Sequence, residues 1–218
     1  MNDDYSKYTL EELENTKWLD IVKTNSDRFQ IKLEEVWKDS VDDPSLPQIT
    51  YTGKIDIDFD EILSLEPEDT FFHPTVRKLN GYSLHQGCAD NMMGRQQFDK
   101  DHWMHEKVSK KFGLTKTRVE LFLQRPANLV GVHYDKYGNH IQGGEYDFSE
   151  TLTKEIYRGV IFCTDWEIGQ VFLSGTEALT GWKQGDTYTF PWYMPHGSAN
   201  ASDKDRYLLR FLGELTKK

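Results

Sequence analysis

Short β-type runs fill the second half of the chain, and they limit its fold more than any other feature of the sequence. They cover residues 119–123, 157–164, 170–173, 187–190 and 207–211. Turn-forming glycine, proline and asparagine residues separate these runs. Many short strands in one half of a chain predict a β sandwich or a jelly roll.

The first half favours helices instead. Residues 9–40 begin with a capping-box pattern at Thr9–Glu12 and then place apolar residues at helical spacing. A second helix fits residues 99–112, with Asp99 as its cap and Gly113 as its end. We expect this second helix to pack against the predicted sheet.

Two shorter segments lie between these helices. Residues 41–55 contain Pro44 and Pro47 and are typical of a connector. Residues 55–59 alternate apolar and acidic side chains, which is the period of a half-buried strand. Residues 82–93 have no clean period, so the sequence predicts no element there.

The charge balance narrows the possible partners. Lys and Arg together number 26 against 36 for Asp and Glu, which gives a formal net charge of −10. Non-specific nucleic-acid binding draws its affinity from basic surface, so this balance argues against duplex nucleic acid. It suits a small molecule or a basic peptide segment better.

The sequence also predicts a cytoplasmic protein. It has two cysteines without a CxxC pair, an acidic N-terminus and no long apolar run. We therefore expect neither a signal peptide nor a membrane span.

Three residues of the second half could bind one metal ion. His133 and Asp135 lie two residues apart, so on a strand they point to the same face. His196 follows sixty-one residues after Asp135 and could come from a distant strand. Two imidazoles and one carboxylate with open positions opposite them are the donor set of non-haem Fe(II) oxygenases. The alternative interpretation is a polar turn at residues 133–135 and an ordinary loop histidine at 196.

Two arginines follow on the last predicted strand. Arg206 comes ten residues after His196 and shares a strand face with Arg210. A guanidinium binds a carboxylate through two parallel hydrogen bonds, so Arg206 or Arg210 could hold an acidic cosubstrate. An exposed salt bridge, perhaps to Glu120 or Glu167, is the alternative role. Gln124 and Tyr188 could donate hydrogen bonds to the same cosubstrate.

The set His133-Tyr134-Asp135, His196 and Arg206 resembles the Fe(II)- and 2-oxoglutarate-dependent oxygenases, with a spacing most similar to the prolyl-hydroxylase-like group. The runs around these residues are similar to the family's strands as well. Two positions depart from the group. Arg206 stands where lysine is usual, and Ile168–Gln170 stands where Gly-Gly-Glu is common.

This resemblance implies a double-stranded β-helix, a mainly β, cupin-like jelly roll with flanking helices. It implies that His133, Asp135 and His196 bind Fe(II), and that Arg206 binds the far carboxylate of 2-oxoglutarate. With O2 as the oxidant, such an enzyme hydroxylates a C–H bond and forms succinate and CO2. The expected substrate is a small molecule or an amino-acid side chain.

The change in sequence character at residue 115, where the short β-type runs begin, gives an organisation of the chain, and the resemblance covers about the last hundred residues. Residues 1–114 would form a helical N-terminal extension with strands that pack on the core. Residues 115–218 would form the jelly-roll catalytic core, within one structural domain overall. The polar insertion over 136–156 directly follows the first ligand pair, where a lid over the site would lie.

Two other interpretations remain open. A cupin-like metalloprotein of another reaction class would need a further histidine ligand near His133, for which His140 is the candidate. A non-catalytic jelly-roll binding module would have no use for an intact ligand set, which argues against it.

Overall fold

A computed structural model describes residues 48–70, 93–133, 156–191, 194 and 196–215 of the protein. Within these ranges there are two helices, α1 (Phe59–Leu63) and α2 (Trp103–Phe112). The strands of the described ranges are β1 Thr50–Lys54, β2 Asp69–Thr70, β3 Met93–Gln97, β4 Leu114–Gln124, β5 Asn128–His133, β6 Ile156–Phe162, β7 Gln170–Ser174, β8 Glu177–Leu179, β9 Asp186–Thr189, β10 His196–Asn200 and β11 Arg206–Leu215. The predicted helix over 9–40 lies outside the described residues, and so does the predicted lid over 136–156 apart from its last residue.

The described strands form two antiparallel sheets. The larger sheet has seven strands in the order β1-β9-β6-β11-β4-β3-β2, and the smaller has four in the order β5-β10-β7-β8. From β4 to β11, each strand lies in the other sheet from the strand before it, except that β7 and β8 are neighbours in the smaller sheet. The fold is therefore a mainly β, cupin-like jelly roll, as the strand pattern predicted.

Side chains on the larger sheet alternate between two apolar layers. Leu208 of β11 packs in the inner layer with Phe162 and Phe172, which lie on opposite sheets. Leu209 and Phe211 of the same strand face outwards, where they belong to one apolar cluster with residues of both helices. This alternation follows from the two-residue period of a strand. It places Arg206 and Arg210 on one face, as the sequence predicted, and the structure shows that this is the inner face.

The two ends of this core differ. The turns between β4 and β5 and between β10 and β11 lie together at one end, which we call the hairpin end. At the opposite end of the smaller sheet, β5 finishes at His133 and β10 starts at His196, and we call this the histidine end. Since β11 starts at the hairpin end, Arg206 lies near that end, and Arg210 lies about 13 Å further along the strand.

Three local predictions are corrected. The segment 55–59 is not a strand, because Asp58 caps α1 by accepting a hydrogen bond from the Glu61 N–H at 3.0 Å. The predicted connector 41–55 contains strand β1, which pairs with β9. Helix α2 begins at Trp103 and not at Asp99, whose carbonyl accepts from the His102 N–H in a preceding turn. Its predicted end at Gly113 is confirmed, with φ at 65° in the left-handed region.

Strands β1, β2 and β3 precede residue 114 and belong to the same sheet as β4, β6, β9 and β11. The described part of the N-terminal half is therefore continuous with the core sheet. The division of the chain at residues 114 and 115 remains a prediction. Neither helix of the described ranges is long and apolar enough to cross a membrane.

Candidate functional site

Two of the predicted metal ligands meet across the smaller sheet. The backbones of His133 and His196 are direct partners in the antiparallel pairing of β5 with β10. The pairing of two neighbouring strands therefore brings these two residues together, although they are far apart in the sequence. His133 is described through its backbone, and Asp135 lies outside the described residues. In the part of the chain that the structure describes, no group of three metal-binding side chains is complete.

The His196 side chain lies inside the core, only 6% exposed. Its Nδ1 lies 3.0 Å from the Met194 carbonyl oxygen, and its Nε2 lies 2.9 Å from Nη2 of Arg158. A guanidinium has donors only, so Nε2 must accept and carry the lone pair. The proton is then on Nδ1 and is donated to Met194. A histidine that donates through one nitrogen to a backbone carbonyl is oriented to bind a metal through the other nitrogen.

Arg158 is a site residue that the sequence analysis missed. It is 2% exposed and lies on the inner face of β6, with its guanidinium 4.8 Å from the ring centre of Phe190. Metal binding at Nε2 of His196 requires Arg158 to give up its contact with that lone pair. The signal was present in the sequence, because Arg158, Val160 and Phe162 share one face of a predicted strand.

Arg206 is fully buried near the hairpin end. Its Nη1 donates to the Val171 carbonyl at 3.0 Å, its Nη2 donates to Oε1 of Gln124, and its guanidinium lies 5.7 Å from the Trp182 ring centre. No carboxylate of the described residues forms an ion pair with it. Burial lowers the pKa of Arg206 to about 9, because a charged guanidinium is poorly solvated there. Among the described residues its hydrogen-bond partners are therefore neutral, and the side chain is suited to an acidic ligand.

Further polar atoms lie close to Arg206 without a hydrogen-bond partner in the described part of the chain. They are Nε of Arg206 itself, Oγ1 of Thr164 and Nε1 of Trp182, all buried. Thr164 is the cross-strand neighbour of Arg206, since the adjacent Cys163 N–H donates to the Tyr207 carbonyl. Buried polar groups are almost always hydrogen-bonded, so this group of donors is suited to a polar ligand.

Gln124 connects Arg206 to the histidine strand. Its Nε2 donates to the carbonyls of Asn128 and Ser198, at 3.0 and 3.3 Å, and its Oε1 accepts from the Ser198 hydroxyl as well as from Arg206. Ser198 is two residues from His196 on the inner face of β10, or roughly 7 Å along the strand. Gln124 thus orients Arg206, and a short dicarboxylic acid could extend from Arg206 towards His196.

Arg210 has a different partner. Its Nε donates at 2.9 Å to Oε2 of Glu120, whose other oxygen accepts from Arg118 at 2.7 Å and from Nε of Arg95 at 3.0 Å. Glu120 is 1% exposed. Burial alone would raise its pKa, but the charges of Arg210, Arg95 and Arg118 hold the pKa of Glu120 well below its usual value. The salt bridge considered as an alternative role for Arg210 is therefore present, although it is buried.

Tyr188 forms part of the inner wall. It is partly buried, with its ring centre 5.9 Å from that of Phe162 and 5.2 Å from that of Tyr51. Partial burial, and then the nearby Asp186 and Tyr51, raise the pKa of its hydroxyl. These contacts are those of a packing residue, and its predicted bond to a cosubstrate remains a prediction.

No protein-family model matches the chain, and no curated protein is similar to it in sequence. Solved structures with a similar backbone include a truncated form of the viral collagen prolyl hydroxylase of Paramecium bursaria Chlorella virus-1, at 11% identity over 80% of this chain and 96% of that one, with a TM-score of 0.49. The 2OG complex of that hydroxylase has 14% identity over 68% and 94%, with a TM-score of 0.43. A predicted oxalate decarboxylase of Thermotoga maritima has 14% identity over 56% and 81%, with a TM-score of 0.36. These similarities are low, and the fold assignment rests on the strand order and register of the chain itself.

Proposed function

We propose that the protein is an Fe(II)- and 2-oxoglutarate-dependent oxygenase that hydroxylates a C–H bond of a small molecule or an amino-acid side chain. The observation that carries this proposal is Arg206, a fully buried guanidinium that no described carboxylate pairs with. It lies on the inner face of the same core as the paired histidines. An acidic cosubstrate would supply the missing negative charge and acceptors for the unsatisfied donors.

The donor set agrees with a metal site at the histidine end. His196 directs an Nε2 lone pair into the core, and the strand register brings the His133 backbone opposite it. These two histidines and Asp135 would hold Fe(II), and bound Fe(II) would supply the activation of O2. The open positions of such a site leave room for a chelating cosubstrate.

The chain's own residues would then position the reactants. Arg206 would bind the far carboxylate of 2-oxoglutarate, while Gln124 would keep the guanidinium in place through its Oε1. The Trp182 and Phe162 rings, stacked at 4.0 Å, would keep water away from this end of the cosubstrate. Met194 would hold the orientation of the His196 ring.

Anaerobic titration tests this proposal. Addition of Fe(II) and then 2-oxoglutarate should produce a visible charge-transfer band, and His133→Ala, Asp135→Ala and His196→Ala should each abolish it. Arg206→Gln should leave iron binding intact and weaken 2-oxoglutarate binding. Arg125→Gln removes the same charge at the turn between β4 and β5 and serves as the control.

Two results would contradict the proposal. A band of full intensity in His133→Ala would remove that residue from the metal site. Iron binding without any response to 2-oxoglutarate would favour a cupin-like metalloprotein of another reaction class.

A further inference from the structure

Trp182 has the largest side chain among the fully buried residues of the described ranges, and it lies in the loop between β8 and β9. Its ring stacks on that of Phe162, with 4.0 Å between the ring centres and 11° between the planes. The indole Nε1 atom is nevertheless buried without a hydrogen-bond partner in the described part of the chain. An indole N–H is a donor only, so nothing but an acceptor can satisfy it. Packing therefore explains the ring of Trp182 and leaves its N–H unexplained.

A second indole close by has its acceptor. Trp166 lies between β6 and β7, packs against the same inner layer, and donates from Nε1 to the Gln170 carbonyl at 2.8 Å. Its backbone N–H donates to the Trp182 carbonyl at 3.0 Å, so the two residues are neighbours. Within the described ranges, the fold thus supplies an acceptor to one of two neighbouring indoles. Because buried donors are almost always bonded, the Trp182 N–H is suited to an acceptor that a ligand brings.

Two further buried polar groups lie next to this indole. The guanidinium carbon of Arg206 is 5.7 Å from the centre of the Trp182 ring. The register of β6 and β11, continued by the bond from the Cys163 N–H to the Tyr207 carbonyl, places Thr164 opposite Arg206. Side chains opposite each other in a sheet are about 5 Å apart at Cβ. Donors at such separations lie within hydrogen-bond reach of one small group bound between them.

The number of donors indicates what that group is. Nε of Arg206, Nε1 of Trp182 and Oγ1 of Thr164 are the three buried atoms without a partner among the described residues of this region. A single water molecule has too few lone pairs to accept from all three and brings no charge. A carboxylate has about four acceptor sites on its two oxygens, and its negative charge matches the guanidinium. A carboxylate therefore satisfies these donors better than water does.

The number of charges indicates which anion fits. Arg206 is the charged member of the three donors, and the groups that it bonds to, the Val171 carbonyl and Gln124, are neutral. A carboxylate carries one negative charge and balances this guanidinium. A phosphate monoester carries nearly two at neutral pH, so it would leave negative charge buried without a partner. These neighbours therefore favour a carboxylate over a phosphorylated group.

We propose that Trp182 and Thr164 are specificity-determining residues of the cosubstrate site. The indole N–H and the hydroxyl donate to the far carboxylate of the cosubstrate beside Arg206, and together these groups select a singly charged carboxylate over a dianion. Trp182 then has two roles, since its ring face packs on Phe162 and its N–H edge binds the ligand. This inference rests on the proposed function and adds to it the residues that select the cosubstrate.

The first test uses the full chain with 15N-labelled tryptophan, without added metal. Trp182→Phe and Trp166→Phe assign the two indole N–H resonances. Acetate is the carboxylate probe, acetamide is its uncharged counterpart, and monomethyl phosphate is the dianionic probe. We expect a saturable shift of the Trp182 resonance with acetate, none with acetamide, and no shift of the Trp166 resonance with either. Monomethyl phosphate should bind at least about tenfold more weakly than acetate, because its second charge has no partner.

The second test measures 2-oxoglutarate binding to the protein loaded with Zn(II), by isothermal titration calorimetry. Trp182→Phe keeps a ring that can stack on Phe162 and removes the N–H, and Thr164→Val keeps the shape and removes the hydroxyl. Each should raise the dissociation constant about tenfold, the loss expected for a hydrogen bond to a charged group. Trp166→Phe is the matched control and should leave the constant within about twofold, because its N–H bonds to the Gln170 carbonyl. Circular dichroism confirms that each variant is folded.

The failure of this inference is distinguishable from that of the proposed function. If acetate leaves the Trp182 resonance unchanged, or if monomethyl phosphate binds as tightly as acetate, the inference is wrong. It is also wrong if Trp182→Phe binds 2-oxoglutarate as tightly as Trp166→Phe does. In these cases the proposed function still holds as long as Arg206→Gln weakens 2-oxoglutarate binding. A Trp182 resonance that responds to acetate in a protein that does not bind 2-oxoglutarate would overturn the proposed cosubstrate, and with it this inference.

Discussion

Arg206 and Arg210 lie four residues apart on one face of the same strand, yet their surroundings are opposite. Arg210 donates to a buried carboxylate, Glu120, which also binds two other arginines. Arg206 donates to a backbone carbonyl and to the side-chain amide of Gln124, both of them neutral. One guanidinium is neutralised within the fold, whereas the other is buried with its charge unmatched by any described residue.

This difference indicates a structural role for Arg210 and a ligand-binding role for Arg206. Removal of a buried charge from a matched pair leaves the other charge uncompensated, which is costly to stability. Removal of a buried charge that lacks a counterion relieves a desolvation cost instead. Glu120 should therefore matter most to folding, and Arg206 should matter most to ligand binding. The following experiments measure how far the two regions differ.

The largest effect should come from Glu120→Gln. It keeps the shape of the side chain but leaves three guanidiniums without their shared carboxylate, so we expect a loss of about 3–5 kcal/mol in the free energy of unfolding. Urea denaturation at neutral pH measures it. Asp165→Asn is the control, because this exposed carboxylate bonds to Lys183 at the surface and should cost little. A cost for Glu120→Gln as small as that for Asp165→Asn would show that Glu120 and its three arginine partners contribute nothing to stability.

Arg206→Met should have the next largest effect, on binding. Loss of the charge-assisted bonds should raise the dissociation constant of 2-oxoglutarate about 100-fold. The free energy of unfolding without ligand should change by less than about 1 kcal/mol, since an apolar side chain of similar length replaces an unmatched charge. Isothermal titration calorimetry and urea denaturation measure the two quantities.

Arg210→Met is the matched control for this contrast. It should lower stability because it takes one partner from Glu120, while 2-oxoglutarate affinity stays nearly unchanged. If Arg210→Met weakened 2-oxoglutarate binding more than Arg206→Met did, the roles of the two arginines would be reversed.

Acid should remove part of the stability that Glu120 contributes. In the fold, burial opposes ionisation, yet the neighbouring arginines keep the pKa of Glu120 well below its ordinary 4.5. Its ionised form therefore stabilises the protein above pH 4.5, and this contribution is lost as the pH falls below 4.5 and through the lower pKa of the folded state. The difference in unfolding free energy between the wild type and Glu120→Gln should shrink over that range. A difference that stays constant from pH 7 to 3 would contradict this account.

Much of the core was predictable because it depends on local alternation. The two-residue period of 207–211 was sufficient to place Arg206 and Arg210 on one face with Leu208, and the structure confirms this placement. The end of α2 at Gly113 was predictable for the same reason, since a left-handed residue after a helix favours glycine. Both features depend only on residues close together in the sequence, which is why they could be predicted.

The remaining features depend on pairing between distant segments. Strand β1 was missed because it is an edge strand with little apolar pattern, held mainly by its pairing with β9. The contact between Arg158 and His196 crosses from one sheet to the other, which no local period encodes. Glu120 neutralises Arg210 and not Arg206 because the register of β11 against β4 places Arg210 opposite Glu120. That register is set by the pairing of whole strands and is not encoded locally.

Ser198→Ala should give the smallest measurable effect, and it tests how Arg206 is held. The Ser198 hydroxyl donates to Oε1 of Gln124 at 3.3 Å, the same atom that accepts from Arg206. Ser198→Ala removes one neutral hydrogen bond to Gln124, which would not itself contact the ligand. The affinity for 2-oxoglutarate should therefore fall about two- to threefold, corresponding to roughly 0.5 kcal/mol. Ser64→Ala deletes a comparable hydroxyl at the end of α1 and should leave affinity unchanged. If both alanine variants bind 2-oxoglutarate as the wild type does, Gln124 orients Arg206 through its backbone bonds alone, and the Ser198 hydroxyl has no part in the site.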